Sequence, residues 1–168
     1  MRMTKLFLLL ASISALVISS DGAVMAAGSA TANLPVSVVV SNNCTITTAA
    51  VTFAGYDPLS ATNTDSTGGS VTITCTKGAT TSIGLDNGAQ PSAGVRRMKD
   101  ATTDYLNYFL FSDSGRTTAW GNAAGSWVVP PAAPDKTARP YQVYGRITAG
   151  QDVPAGTYND TVIATVNF

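Results

Sequence analysis

The sequence predicts an all-β sandwich, and three observations carry that prediction. Two stretches alternate with a period of two: residues 30–40, where Ala30, Ala32, Leu34, Val36, Val38 and Val40 share one face, and residues 158–168, where Val162, Ala164, Val166 and Phe168 do. Between them, short runs rich in Val, Ile, Thr and aromatic residues recur, divided by Gly, Pro, Asn and Asp. After the leader, no stretch sustains the 3.6-residue period of an amphipathic helix.

The leader comes first. Arg2 and Lys5 precede an apolar run over 6–18, and small residues follow at 23–27, the pattern of a secretory signal peptide over residues 1–26 with the mature chain starting near Ala27. The run is shorter than the roughly 20 residues of a membrane span. About 142 residues remain, enough for one domain.

Residues 27–43 hold the first alternating strand and a hinge, Ser41-Asn42-Asn43, made of turn-forming residues. Residues 44–53 read as two short β segments. Gly55-Tyr56-Asp57-Pro58 reads as a turn and 60–69 as a polar loop. Residues 70–75 form a cleaner strand with Val71, Ile73 and Cys75 on one face, closed by a turn at Lys77-Gly78.

Residues 82–85 form the next strand, ended by the turn signal Asp86-Asn87-Gly88 and expected to pair with 94–98. Residues 104–112 carry the densest aromatic cluster, with apolar residues on both parities, so both faces are expected to be buried. Trp120 and Trp127 flank a loop of small residues. The segment 130–134, with three prolines, is expected as a stiff exposed connection. A strand over 141–147, a turn region over 150–156 and the closing strand over 158–168 complete the chain. That last strand has no successor to pair with its free edge, and the first strand is predicted to belong beside it, contributed by a neighbouring molecule. Pattern alone equally allows an ordinary first strand paired within its own chain.

Composition narrows function. Of ten basic and ten acidic residues, Arg2, Lys5 and Asp21 fall in the leader, leaving eight basic and nine acidic residues with no basic stripe, so nucleic acid is a poor partner. The chain has no His and no Glu, and its two cysteines, in an exported protein, read most economically as one disulfide between Cys44 and Cys75. The usual acid–base and nucleophile pairs cannot be assembled from what is left, and metal-ligand spacings are missing. No enzyme activity, cofactor, metal or small-molecule substrate is expected.

Four segments resemble a known family. They are Phe53-Ala54-Gly55-Tyr56-Asp57-Pro58, the strand at 69–76, LNYFLFSDSGRTTAWG over 106–121, and YGRITAGQDVPAGTYNDTVIATVNF over 144–168. Together with a first cysteine after an alternating strand, the ordered set resembles the spore coat protein U domain, a family that includes the pilins of archaic chaperone–usher (Csu-type) pili. Thr148 departs from the pattern, which has Pro after Arg-Ile.

The resemblance implies an incomplete immunoglobulin-like β-sandwich over 44–168, completed by a donor strand from a neighbouring subunit or a chaperone. It implies identical or related pilin subunits, a periplasmic chaperone and an outer-membrane usher as partners, and a periplasmic then cell-surface location. Ala30, Ala32, Leu34, Val36, Val38 and Val40 become the donor strand, and Val162, Ala164, Val166 and Phe168 the acceptor groove and chaperone contact. Pro35 lacks an N–H and must face away from the ladder or mark a bulge. The expected role is a structural pilus subunit serving adhesion or biofilm formation. The alternatives are a secreted coat protein and a soluble carbohydrate-binding sandwich that uses Trp120 and Trp127.

Overall fold

The computed structural model describes residues 27–66 and 68–168. The signal-peptide assignment to 1–26 lies outside them. The chain divides between Val38 and Val39 into two units. In the first, residues 27–38 form no strand and are exposed throughout.

The second unit holds every strand among the described residues: β1 Cys44–Ala49, β2 Thr64–Asp65, β3 Ser70–Cys75, β4 Ser82–Leu85, β5 Arg96–Lys99, β6 Tyr105–Phe111, β7 Arg139–Gln142, β8 Tyr144–Ile147 and β9 Ala164–Asn167. They make an all-β, immunoglobulin-like sandwich. One sheet runs β1-β3-β7, a second β2-β8-β6-β5, and β4 pairs with β9. All pairings are antiparallel. The β3 alternation works as the sequence predicts, since Val71, Ile73 and Cys75 are buried while their neighbours are half-exposed. They join Ile83, Leu85, Leu106, Tyr108, Leu110, Trp120 and Ile147 in a single core. Each fully buried aliphatic side chain there contributes on the order of 1.5–3 kcal/mol.

Several expectations are corrected. Residues 82–85 do not pair with 94–98: β4 takes β9 as partner and β5 takes β6, with Arg96 opposite Tyr108. Arg96 is buried and its guanidinium bonds the backbone oxygens of Leu85, Asp86 and Trp120 at 2.7–2.8 Å, so the two segments meet through a side chain instead of a ladder. β6 buries one face, with Leu106, Tyr108 and Leu110 inside and Phe109 37% exposed outside. The strand expected over 141–147 is two strands in two sheets, because the buried Val143 turns its N–H to Gly69 O and carries the chain across the sandwich.

In the segment 130–134, Pro130 and Ala133 are buried, and Ala133 exchanges backbone bonds with Gly78 and Ala79. The loop 60–69 contains β2, held by Asp65 to Arg146 on β8. Residues 44–53 form one strand to Ala49 and then a single bridge from Phe53 to Ser66. The closing strand spans only Ala164–Asn167, because 159–163 is tied down by side chains and by a bridge to β5.

Candidate functional site

Two edges of the second unit are unfinished. β1 pairs only with β3 and β9 only with β4, and among the described residues neither forms a ladder on its other edge, although the two strands lie side by side. Their disposition follows from sequence. Cys44 and Cys75 face each other at the end of the β1–β3 ladder and form a disulfide, which clips β1 to the core strand. β9 is fixed by its ladder to β4, in which Val166 faces Ile83 and Ala164 faces Leu85.

Between these edges opens a cleft of about 330 Å³. Ala49, Ala50 and Val51 stand on one side, Asp160, Val162 and Ala164 on the other, and the floor is Val71, Leu85, Tyr108 and Leu110. A second cavity of about 650 Å³ shares Val51, Phe53, Met98 and Tyr158 with the first and runs on to Tyr56, Val153 and Pro154. The result is a long apolar trough bordered by backbone that has no ladder partner, a combination costly to leave open to water.

Thr48, Ser70, Asn159 and Thr161 also line the cleft, and one set of polar groups there is tied together. The Tyr108 hydroxyl donates to Asp160 Oδ2 at 2.6 Å, while Asp160 Oδ1 accepts from the backbone N–H groups of Ala89 and Thr161, both at 2.8 Å. Burial first, and then the hydrogen bond to the carboxylate, push the Tyr108 phenol well above its ordinary range. Arg96 lies below with its pKa lowered by burial, and its charge is met by three carbonyl oxygens. No group of His, Cys, Asp or Glu side chains among the described residues has metal-site geometry.

Of the acceptor residues named from sequence, Val162 and Ala164 line the cleft, Val166 is half-buried against the core, and Phe168 is 55% exposed beyond the end of β9. Of the donor residues, Ala30, Ala32, Leu34, Val36 and Val38 belong to the first unit and Val40 to the second. All are exposed, Leu34 at 85% and Val36 at 88%, with no strand partner among the described residues. Missed in the sequence were the opposite wall and the polar clamp: Ala49, Ala50, Val51, Phe53, Met98, Tyr108 and Asp160. Val51 and Phe53 carry an alternation that could have been extended across the cleft; nothing local marks Asp160. Trp120 is corrected as a ligand platform. It is 1% exposed and its indole N–H donates to Ile83 O at 2.9 Å, whereas Trp127 is 40% exposed over Gly84.

The profile of the Spore Coat Protein U domain family matches residues 30–165, well over half of the chain. The chain belongs to this family. Another protein to which this family member is similar is Protein U of Myxococcus xanthus, 43% identical over 157 residues that cover 84% of this chain and 87% of that protein. Among solved structures it is similar to a chain of the CsuC–CsuE chaperone–tip adhesion subunit pre-assembly complex from the archaic chaperone–usher Csu pili of Acinetobacter baumannii, with a TM-score of 0.58 and 28% identity. That match covers 77% of this chain and 40% of the other, so this family member spans less than half of that chain's length.

Proposed function

We propose that this Spore Coat Protein U domain protein is a structural pilus subunit, exported to the periplasm, held there by a chaperone, and polymerised through an outer-membrane usher by donor-strand exchange. The residues expected to act are the alternating face of 30–40 as donor and the trough between β1 and β9 as acceptor on the next copy. Its service at the surface is adhesion or biofilm formation, and it carries out no catalysis. The observation that carries this reading is the pairing, in one chain, of an apolar trough edged by unpaired backbone with an exposed apolar strand sequence of matching character. The similarity to a chaperone–subunit complex of Csu pili supports it.

The energetics are adequate. Eleven extended residues span roughly 36 Å, enough to follow a whole sandwich edge. Burying Leu34, Val36, Val38 and Val40 yields on the order of 6–12 kcal/mol before ordering costs. Backbone bonds to the free edges of β1 and β9 add to that, so an inserted strand leaves slowly. Strand addition of this kind is the general mode of chaperone–pilin recognition.

The family description, Spore Coat Protein U, favours a second reading, a secreted coat protein. Gel electrophoresis with and without boiling separates the two. The chain is expressed in a periplasm with its chaperone and usher, beside a version lacking 27–40. A ladder of boiling-sensitive multimers from the full chain, absent from the truncation, supports donor-strand exchange. Monomers from both contradict it.

A further inference from the structure

We infer that Asp160 is a positioning residue that holds the acceptor wall open before a strand arrives; this rests on the strand-exchange reading above. The wall is the segment 159–163 leading into β9. Neither Asp160 nor Val162 makes a backbone–backbone hydrogen bond among the described residues, so this stretch lacks the ladder that fixes an ordinary strand. Val162 is half-buried beside an apolar floor. Left to itself, such a segment closes over the floor and removes apolar surface from water.

Side chains hold it in place. Asn159 exchanges two backbone bonds with Lys99, and Ile163 N–H donates to Asp86 Oδ1 at 2.9 Å while its carbonyl accepts from Asp86 N. Between these ends, among the described residues, Asp160 is the one clamp on the middle of the wall. Its carboxylate ties the wall to the floor through Tyr108 and to the neighbouring loop through Ala89. Gly88 makes room for it: a β-carbon there would overlap the carboxylate, and the backbone at φ +76 is one that favours glycine in any case. Bonds to an ionised carboxylate are about twice as strong as neutral ones, which suits a clamp that works without a ladder.

The role is specific to the empty groove. Once a strand is inserted, its own backbone bonds and side chains hold the wall, so Asp160 governs entry more than retention. A merely structural carboxylate would weaken empty and filled states alike.

The test uses the full chain, isolated as monomer, and a labelled synthetic peptide copying residues 28–42. Association and dissociation rates are measured for wild type, Asp160→Asn and Tyr108→Phe; the second variant keeps the ring in the core and removes only the hydroxyl. The expected result is association slowed about tenfold by D160N and by a smaller factor in Y108F, the loss of roughly one charge-assisted hydrogen bond, with dissociation unchanged. Equal association rates in all three proteins overturn the role of Asp160 and leave the strand-exchange reading standing. A change confined to dissociation also overturns it. Failure of the wild type to take up the peptide overturns both.

Discussion

Cys44 and Cys75 stand directly opposite each other on β1 and β3, with Cα atoms 4.1 Å apart, and their disulfide closes a separation of 31 residues. β1 is at once an edge of its sheet and a wall of the cleft, so this bond fixes one side of the cleft to the core. Removing it with the double variant Cys44→Ser, Cys75→Ser is expected to cost about 3–4 kcal/mol, the loop-closure value for a ring of this size. Denaturant unfolding with and without reductant measures this. Assembly should fall further than stability alone explains, because the freed strand is the one that borders the incoming donor.

The phenol of Tyr108 gives a signature at high pH. Its folded pKa is raised by burial and by Asp160, while the unfolded chain ionises near 10. The stability it contributes is complete below pH 10 and is lost as pH rises, by up to about 1.4 kcal/mol per unit for this one group. Tyr108→Phe should cost about 1.5–3 kcal/mol at neutral pH through the lost bond to a charged partner, and should show a shallower alkaline limb. Unfolding midpoints between pH 8 and 11.5 check the slope.

Asp65 gives the opposite sign. Its side-chain hydrogen bonds from Arg146, with the nearby Arg116 charge, hold its carboxyl below the ordinary value of 3.8. Its contribution is present above that value and is lost as pH falls through the lower folded pKa. With the Asp65 side chain 37% exposed, solvent screening limits the effect to about 0.5–1 kcal/mol. Asp65→Asn should therefore be less stable than wild type at pH 6 and converge on it by pH 2, in urea melts taken across that range.

Much of the fold was legible because its strands alternate. β3 falls where the period of two places it, β4 falls on the short run ahead of the Asp86-Asn87-Gly88 signal, and the aromatic run of β6 is a strand with its even positions inside. What the pattern could not supply is long-range pairing. Asp86-Asn87-Gly88 reads as a hairpin turn, yet Asp86 spends its carboxylate on Gly88 and on the distant Ile163, which draws β4 to β9. Arg96 sits in the basic run Arg96-Arg97-Met98-Lys99, and its burial depends on three carbonyls that only the folded chain brings together. In the cleft, alternation pointed to Val162 and Ala164. The facing wall at Ala49–Val51 begins on the last residue of β1 and runs beyond it, where Ala49 and Ala50 interrupt the pattern before Val51 and Phe53 resume it.

The central claim is that one copy's residues 30–40 complete another copy's trough, and mixing two crippled copies tests it most directly. One copy lacks residues 27–40 and keeps its cleft. The other keeps its N-terminal segment and carries Ala164→Trp, which fills the cleft from the β9 side. Size-exclusion chromatography with light scattering of each alone and of the mixture should give monomers for each and a one-to-one dimer for the mixture, surviving dilution. Absence of a mixed dimer, or continued polymerisation of the Ala164→Trp copy alone, would contradict donor-strand exchange through this cleft.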